Sequence, residues 1–476
     1  MTSRRDSPSI VICGVGFGGI GLAILLKRAG FHAIALLERA ADIGGVWRDN
    51  TYPGAACDVP AALYSYSFEP RYPWSGPYPP QAEILGYLKH CVAKYAIAPH
   101  IKFNAEVARA AFDAAAGRWR IETRDGGRLE ADVFVSAVGL FNKPIVPDLP
   151  GRADFRGPQF HSARWDHACP LDGKTVAVIG TGASAIQFVP TIAPNVKQLY
   201  VFQRSTQYVV PKAMAARFRN PLLERLRVYF NFERGIPRRG SARLAAKAEN
   251  GWRGYLATVV PDPELRRKLT PAYPLGCKRV LISNEWYPAL QRPNVALIDA
   301  AVDAILPNGV KARDGSVREV DAIIYGTGFA PTEYLTPMAI TGLDGRELNQ
   351  AWRDGAEAYL GITVSGFPNF FMMYGPNTNV AGSIVYMLES QARYIVRAVR
   401  TIARKRARLN VRADAQSRFN AEVQQRLGKT VLVHPTCHSY FRTASGKVTT
   451  NWPGFMFEYR RRTSRVRLRD YEVVRA

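Results

Sequence analysis

Two glycine-rich turns, each placed between an apolar strand and a helix, constrain the fold of this chain more than any other feature. The first turn reads GVGFGGIGLAILL and follows the apolar residues 9–13. A G-x-G-x-x-G turn in this context predicts a βαβ unit in which Gly14 makes the tight turn, Gly16 admits a pyrophosphate and Gly19 lets helix and strand pack closely. The N-terminus of the following helix offers backbone N–H groups to the anion. The sequence therefore predicts a dinucleotide site near residue 14.

The same pattern recurs in the middle of the chain. Residues 175–179 are apolar, and the turn GTGASAIQFVP follows with Gly180, Gly182 and Ser184. One such turn is weak evidence, whereas two turns in the same strand–turn–helix context predict two separate nucleotide sites.

The charged residue that ends the second strand of each unit indicates which nucleotide binds. Glu38 and Arg204 each lie 24 residues after the first glycine of their unit. A carboxylate accepts hydrogen bonds from ribose hydroxyls and repels a 2′-phosphate, so Glu38 predicts FAD or NAD. Arg204, with Ser205 beside it, can pair with a 2′-phosphate, so the second site is predicted to bind NADP(H).

The predicted fold is α/β, with two Rossmann-like dinucleotide-binding domains, the NADPH domain being inserted into the FAD domain. Residues 131–139 and 320–329 are apolar and contain a closing glycine, which indicates strands that return the chain to a nucleotide-binding domain. We expect residues 1–150 to form the first part of the FAD domain, 151–320 the NADPH domain, and 321–476 the completion of the FAD domain and a C-terminal tail. Residues 214–270 are basic and lack glycine turns, which favours either a helical subdomain that shapes substrate access or a solvated basic face.

Basic residues outnumber acidic ones by 64 to 39, for a formal net charge of +25. Such a charge suits an anionic partner: a nucleotide phosphate, a nucleic acid or a lipid surface. The densest basic run, FEYRRRTSRVRLRDYE at 457–472, carries no nucleic-acid-binding motif, so we expect a solvated surface strand and no nucleic-acid partner. Glycines throughout the uncharged run 7–26 argue against a membrane helix, and we expect no integral membrane segment.

The six cysteines are scattered and form no C-x-x-C pair. This favours a reducing compartment, so we expect a cytoplasmic protein, and it disfavours an NADPH-dependent disulfide reductase, which needs a redox-active cysteine pair. The HPTCH segment brings His434, Cys437 and His438 together but lacks the further ligands of a zinc site, so no metal is expected.

Two longer segments resemble a known family. GGVWRDNTYPGAACD at 44–58 matches, at every specified position, the (A/G)GxWx4(F/Y)P(G/M)x3D signature of Baeyer–Villiger monooxygenases. FRGPQFHSARWD at 155–166 resembles that family's FxGxxxHxxxW(P/D) fingerprint, with Ser162 where threonine is frequent and Asp166 where proline is. With the two Rossmann units, the YGTGF turn and the GCKR segment, the resemblance covers nearly the whole chain. The chain thus resembles the class B flavoprotein monooxygenases, and among them the type I Baeyer–Villiger monooxygenases.

This resemblance implies an NADPH-consuming enzyme that uses FAD and O2 to insert one oxygen atom beside a ketone carbonyl. A flavin C4a-peroxide would attack the ketone and give an ester or a lactone. The alternative is a flavin-containing monooxygenase that oxygenates nitrogen or sulfur in amines or sulfides; such enzymes generally lack the Asp58 signature and the Trp165 position. A nucleotide-binding sensor without turnover is a further alternative. The sequence leaves the ketone and the oligomeric state open.

Oxygen insertion also needs a cation near the flavin, and Lys278 and Arg279 are the candidates. By the resemblance, Arg279 and Asp58 are catalytic: Arg279 would stabilise the peroxide and its carbonyl adduct, and Asp58 would orient Arg279. Lys278 would contact the NADP ribose or its 2′-phosphate, and His161 would lie outside the direct chemistry. The full set expected to bind a cofactor is Gly14, Gly16, Phe17, Gly19, Glu38, Gly45, Trp47, Asp58, Tyr64, Val107, Gly180, Gly182, Ser184, Gln187, Arg204, Ser205 and Lys278.

Overall fold

A computed structural model of the chain describes residues 7–212, 218, 220–236, 242–335 and 337–475. Part of the expected helical subdomain, residues 214–217, 219 and 237–241, therefore lies outside the described residues.

The helices and strands are numbered in chain order. The first region contains β1 (Ile10–Cys13), α1 (Phe17–Arg28), β2 (Ile34–Leu37), α2 (Val46–Asp49), α3 (Gln81–Lys94), β3 (Ile101–Lys102), β4 (Val107–Asp113), β5 (Arg118–Thr123), β6 (Arg128–Ala131) and β7 (Val133–Ser136). The middle region contains β8 (Gln159–His161), β9 (Thr175–Ile179), α4 (Ala185–Ile192), β10 (Gln198–Phe202), β11 (Val209–Val210), α5 (Pro221–Gly235), α6 (Ala242–Val259), α7 (Pro263–Lys268), β12 (Leu281–Ile282), α8 (Trp286–Leu290), β13 (Val295–Ile298), β14 (Val302–Leu306), β15 (Gly309–Ala312), β16 (Val317–Glu319) and β17 (Ala322–Tyr325). The last region contains β18 (Ala339–Thr341), α9 (Leu348–Ala351), β19 (Phe370–Met372), α10 (Ile384–Lys405), β20 (Ala407–Val411), α11 (Ala413–Leu427), α12 (Met456–Arg462) and β21 (Tyr471–Arg475).

The first nucleotide unit is built on a five-stranded parallel sheet with the strand order β19-β7-β1-β2-β3. Every residue of β1 and β7 is buried. A parallel sheet covered on both faces needs such continuous apolar strands, which is why their sequences do not alternate. Helix α1 follows β1 and packs against α10. Because β19 comes after the whole second unit in the chain, the first sheet is completed only in the C-terminal region.

The second unit is a five-stranded parallel sheet with the order β13-β10-β9-β17-β8. The expected boundary at residue 321 is wrong for β17, which pairs with both β8 and β9, so the chain leaves this sheet only after Tyr325. A fully buried apolar strand that ends in glycine looks the same in either sheet, and the sequence pattern therefore could not assign it. Two parallel sheets with helices between their strands confirm the predicted α/β class.

Four smaller sheets complete the described structure around these two, and in one of them β11 pairs parallel with β12. Strands β4, β5 and β6 form an antiparallel meander, with β18 added parallel to β4. Strands β14, β15 and β16 form a second meander, and β20 pairs antiparallel with β21. The first meander supplies Val107, at the start of β4, to the candidate site described below.

Helices dominate the described part of the expected helical subdomain, as α5, α6 and α7. Within the described part of the chain, no helix has the length and apolar composition that crossing a membrane requires.

The basic C-terminal run is only partly a strand. Its first residues belong to helix α12, and a strand, β21, begins only at Tyr471, so the expectation of a surface strand is wrong for the first half of the run. Arg462 of α12 pairs with Glu422 of α11 and, at 3.1 Å, with Glu458 of its own helix. Glu422 lies 40 residues away from Arg462, and spacing within the run could not reveal this partner.

Two cysteines are joined in a disulfide. Cys277 and Cys437 are 160 residues apart in the chain, their Cα atoms are 5.5 Å apart, and neither side chain is exposed. The expectation of reduced, unpaired cysteines is therefore wrong for this pair. Local spacing carries no information about a contact over such a separation.

Candidate active site

One continuous cavity of about 1810 Å³ is lined by both glycine turns. Its walls include every residue that the sequence predicted to bind a cofactor or to act in catalysis, except Gly19. The two predicted nucleotide sites and the predicted catalytic pair therefore share one cavity.

At the first glycine turn, the backbone explains all three glycines. Gly14 has φ +104°, and a Cβ there would lie 2.6 Å from the carbonyl oxygen of Ala137. A Cβ on Gly19 would lie 1.9 Å from the carbonyl oxygen of Gly14, so Gly19 lets α1 pack against the turn and has no place in the cavity wall. A Cβ on Gly16 would lie 3.9 Å from the nearest atoms, so Gly16 leaves an open space, the cradle, beside the backbone. No side chain caps the N-terminus of α1, so its N–H groups are available to a pyrophosphate.

Glu38 is held in place at the end of β2. Its side chain is 4% exposed, and its two carboxylate oxygens accept hydrogen bonds from the backbone N–H groups of Val15 (3.0 Å) and Ala40 (3.1 Å). Arg48 donates to the same carboxylate at 2.9 Å. Arg48 lines the cavity, and sequence reasoning missed it although it lies inside the recognised signature.

An aromatic cluster lies beside this turn. The Trp47 indole N–H donates to the Tyr64 hydroxyl at 3.1 Å, and the rings of Phe17 and Tyr64 meet edge to face at 5.1 Å. Burial raises the pKa of the Tyr64 hydroxyl well above its usual value, so this hydroxyl stays protonated. Gly45, with φ +55°, completes this wall.

The second turn repeats the geometry of the first. Gly180 has φ +108°, and a Cβ there would lie 2.5 Å from the carbonyl oxygen of Gly326, just after β17. A Cβ on Gly182 would lie 3.8 Å from the nearest atom, which leaves a similar cradle. Helix α4 begins at Ala185, after Ser184, again without a side-chain cap. The second turn therefore also presents free N–H groups to an anion.

Two cations and a hydroxyl meet beside this turn. The Lys278 ammonium donates to the Ser205 hydroxyl at 2.8 Å and stands 4.5 Å from the centre of the Tyr273 ring. Burial, and then the nearby charge of Arg204, lower the pKa of Lys278 to about 8. All three polar residues line the cavity, and their chemistry suits a phosphate group.

Gln187 connects α4 to the recognised signature. The Tyr52 hydroxyl donates to the Gln187 side-chain oxygen at 2.9 Å, and the Gln187 side-chain amide donates to the carbonyl oxygen of Ala56 at 3.0 Å. The second nucleotide unit therefore positions the loop of the first unit that carries Asp58.

The Arg279 guanidinium forms an ion pair with the Asp58 carboxylate. The two side chains are 42% and 20% exposed, and because both line the cavity, they face its interior. The negative charge of Asp58 raises the pKa of Arg279 above its usual value, against the opposing effect of burial. Arg279 is therefore a permanent cation, placed where the two nucleotide units meet.

Three polar residues near Arg279 escaped sequence reasoning. Tyr374 and Tyr440 line the cavity and interact electrostatically with Arg279, and the Tyr374 hydroxyl donates to the Asn379 side-chain oxygen at 3.0 Å. Nothing around Tyr374 in the sequence signals a site. Tyr440 lies three residues after Cys437, in a segment considered only for metal binding.

His161 and Trp165 pack into the protein. The two ring nitrogens of His161 bond the backbone, one to the carbonyl oxygen of Gly328 (3.1 Å) and one to the N–H of Ala163 (3.0 Å). Burial lowers the pKa of His161 to about 4, so it is neutral near pH 7. Trp165 packs on Phe188 of α4 at 5.3 Å. This geometry gives His161 no proton-transfer role.

Comparisons of this chain with a family model, with curated proteins and with solved structures all identify the same family. The family model for flavin-binding monooxygenase-like proteins matches residues 9–335. A Baeyer-Villiger monooxygenase of Streptomyces coelicolor is 42% identical over 98% of this chain and 92% of its own length. A solved complex of the enzyme OTEMO with FAD and NADP has a TM-score of 0.89 and 26% identity, covering 98% of this chain and 100% of that one. A cyclohexanone monooxygenase from Rhodococcus sp. Phi1, solved with NADP+, has a TM-score of 0.87 and 27% identity, covering 99% of each chain.

Proposed function

Because this chain belongs to the flavin-binding monooxygenase-like family and, within it, to the Baeyer–Villiger monooxygenases, we propose that it inserts one oxygen atom from O2 beside a ketone carbonyl. The product is an ester or a lactone, and NADPH is consumed. The observation that carries this proposal is the Asp58–Arg279 ion pair, which lies inside a cavity shared by two nucleotide sites.

The residues present fit both cofactors. The open cradle at Gly16 and the carboxylate of Glu38 suit the pyrophosphate and ribose of FAD, and the cradle at Gly182 suits the pyrophosphate of NADPH. Arg204, Ser205 and Lys278 would hold the 2′-phosphate. When bound, the two cofactors supply reducing equivalents and the activation of O2.

Arg279 is the group that would act on the substrate oxygen. Its N–H donors and fixed positive charge would polarise a ketone carbonyl and stabilise negative charge that develops in the cavity. Asp58 is a positioning residue, since it accepts one side of the guanidinium and leaves the other donors free. Tyr374 and Asn379 form a second polar wall near the same cation.

A panel of ketones, with purified protein, NADPH and product identification, tests this function. Ester or lactone formed in step with NADPH oxidation supports it. N-oxides or sulfoxides alone, with every ketone inert, would instead favour the heteroatom-oxygenating alternative. A disulfide reductase finds no support. The Cys277–Cys437 disulfide does not line the cavity, and Cys13 and Cys57, which do, are free thiols whose pKa values are raised by burial.

We also propose a cytoplasmic location, where NADPH is regenerated. The Cys277–Cys437 bond is unusual for that compartment. Alkylation of free thiols in freshly lysed cells, followed by mass spectrometry, will show whether the bond forms in the cell.

We expect Arg204→Ala to raise the KM for NADPH by about 10- to 100-fold, since a lost charge-assisted hydrogen bond costs about 1.5–3 kcal/mol. The KM for NADH should change less than about threefold, because NADH has no 2′-phosphate to lose. Steady-state kinetics with both coenzymes measure the ratio. Lys174→Ala removes an exposed charge outside the cavity and is the matched control. Equal effects of Arg204→Ala on both coenzymes would contradict the assigned role.

The affinity for NADPH should fall above pH 8. The pKa of Lys278 is lowered to about 8, so its charge is present below that pH and lost above it. We expect the KM for NADPH to rise about tenfold between pH 7 and 9.5, with little change for NADH. Lys278→Arg keeps its charge over this range and should flatten the NADPH profile. A profile that is the same for both coenzymes would exclude Lys278 as its cause.

A further inference from the structure

Helix α5 exposes a stripe of large apolar side chains. Leu222, Leu223, Leu226 and Phe230 are each between 52% and 56% exposed. At 3.6 residues per turn these positions fall within an arc of about 100°. A surface helix ordinarily turns such a stripe towards the core.

Three charged side chains of α5 are also largely buried. Glu224 and Glu233 are each 8% exposed, and the side chain of Arg225 is 11% exposed. Arg225 donates to the carbonyl oxygens of Ala62 (3.0 Å) and Ser65 (2.9 Å), and Glu233 accepts from backbone N–H groups at the start of α12. Helix α5 already has an apolar inner face, because Val228 is buried in the core and Tyr229 and Phe232 pack against it. The leucine stripe is therefore a second apolar face, the outer face, and exposed apolar patches of this kind mark binding surfaces for proteins or membranes.

An arginine stripe adjoins this face. Arg393, Arg397, Arg400 and Arg404 lie on one side of α10, spread over about 16 Å. Positions three and four apart on a helix are neighbours, so these arginines lie side by side. Burial, and then the charges of Arg393, Arg400 and Arg460, lower the pKa of Arg397.

Arg460 of α12 links the stripe to α5. Its guanidinium stands 5.4 Å from the centre of the Tyr386 ring, and that ring contacts Tyr229 of α5 at 5.3 Å. The acid nearest the stripe on α10, Glu389, is 2% exposed and pairs inward with Arg225 and Arg393. Its charge is therefore not available at the surface.

We propose that the outer face of α5 and the arginine stripe together bind the surface of an anionic lipid membrane. Apolar side chains that enter the headgroup region, combined with a basic patch, are the two signals that give stable peripheral binding. The net charge of +25 matches such a surface. A second copy of the chain fits less well, because a symmetric contact would bring two arginine stripes near each other. The cavity also lies behind α5, which lines it with Asn231, Phe232 and Gly235.

Vesicle sedimentation of the holoenzyme tests the proposal. We expect binding to vesicles of phosphatidylcholine with one quarter phosphatidylglycerol, at least ~10-fold weaker binding to pure phosphatidylcholine, and release as salt is raised. This comparison needs no variant. Equal binding to both vesicles, or no binding to either, would overturn the proposal.

Two double variants separate the two signals. Leu222→Ser with Leu226→Ser, and Arg400→Glu with Arg404→Glu, should each weaken binding at least ~10-fold. Their matched controls, Val317→Ser (45% exposed, on β16) and Arg128→Glu (83% exposed side chain, on β6), lie on the two antiparallel meanders and should bind as the parent does. Unchanged binding of both double variants would refute the assignment of this face. A second result would also refute it. If the parent protein does not bind vesicles but forms a dimer that Leu222→Ser/Leu226→Ser abolishes, the face binds a second copy of the chain.

Discussion

Replacing Arg279 with alanine will lower the rate of ester formation by about 10²- to 10³-fold, while NADPH still reduces the bound flavin at close to the parental rate. Preorganised charge aimed at a developing anion contributes about 3–4 kcal/mol in enclosed sites. Arg279 has that position, inside the cavity and paired with Asp58. Stopped-flow absorbance measures flavin reduction, and gas chromatography measures ester, so the two steps are read separately.

Three further variants make this test specific. Arg313 also lines the cavity but does not pair with Asp58, and Arg313→Ala should keep ester formation within about threefold. Asp58→Asn keeps the Arg279 charge but weakens its orientation, so we expect an intermediate loss. Arg279→Lys should restore part of the rate, because a charge without the planar guanidinium fork meets the same oxygen less well. If Arg279→Ala still gives normal ester yield, this arginine has no part in the chemistry.

Replacing Gly16 with valine will leave a folded but colourless protein. A Cβ at Gly16 meets no protein atom closer than 3.9 Å, so a branched side chain can be accommodated by the fold and would fill the space assigned to the pyrophosphate. We expect FAD affinity to fall at least ~100-fold, equivalent to about 2.7 kcal/mol. The flavin absorbance per mole of purified protein measures this directly, without any activity assay.

Gly76→Val is the control, since nothing lies within 4 Å of a Cβ there and Gly76 does not line the cavity. It should keep its full flavin content. Circular dichroism of both variants confirms the fold. A yellow, fully loaded Gly16→Val protein would mean that FAD binds elsewhere.

The nucleotide sites could be predicted from sequence because their geometry is local. Gly19 closely approaches the carbonyl oxygen of Gly14, only five residues before it, although Gly14 is also crowded by the distant Ala137. Glu38 or Arg204 follows at the end of the next strand. The start of the helix, the open cradle and the charged residue at the end of the second strand therefore all fall within about one βαβ unit.

Features that depend on distant contacts could not be predicted in this way. Tyr374 approaches Arg279 only because β19 completes the first sheet after the second unit has been formed. The sheet to which β17 belongs depends on which strands it pairs with, and the sequence of a short buried strand does not indicate its partners. The exposed apolar face of α5 could not be predicted either, because the partners that hold the helix in place lie at Ala62, Ser65 and the start of α12.

The disulfide joins two segments of the chain that line the cavity. Cys277 immediately precedes Lys278 and Arg279, and Cys437 immediately precedes His438, which lies two residues before Tyr440. All four of these neighbours line the cavity. The bond thus ties the segment that carries Lys278 and Arg279 to the segment that carries His438 and Tyr440. A displacement of one segment on ligand binding would therefore be passed to the other, and reduction of the bond would uncouple them.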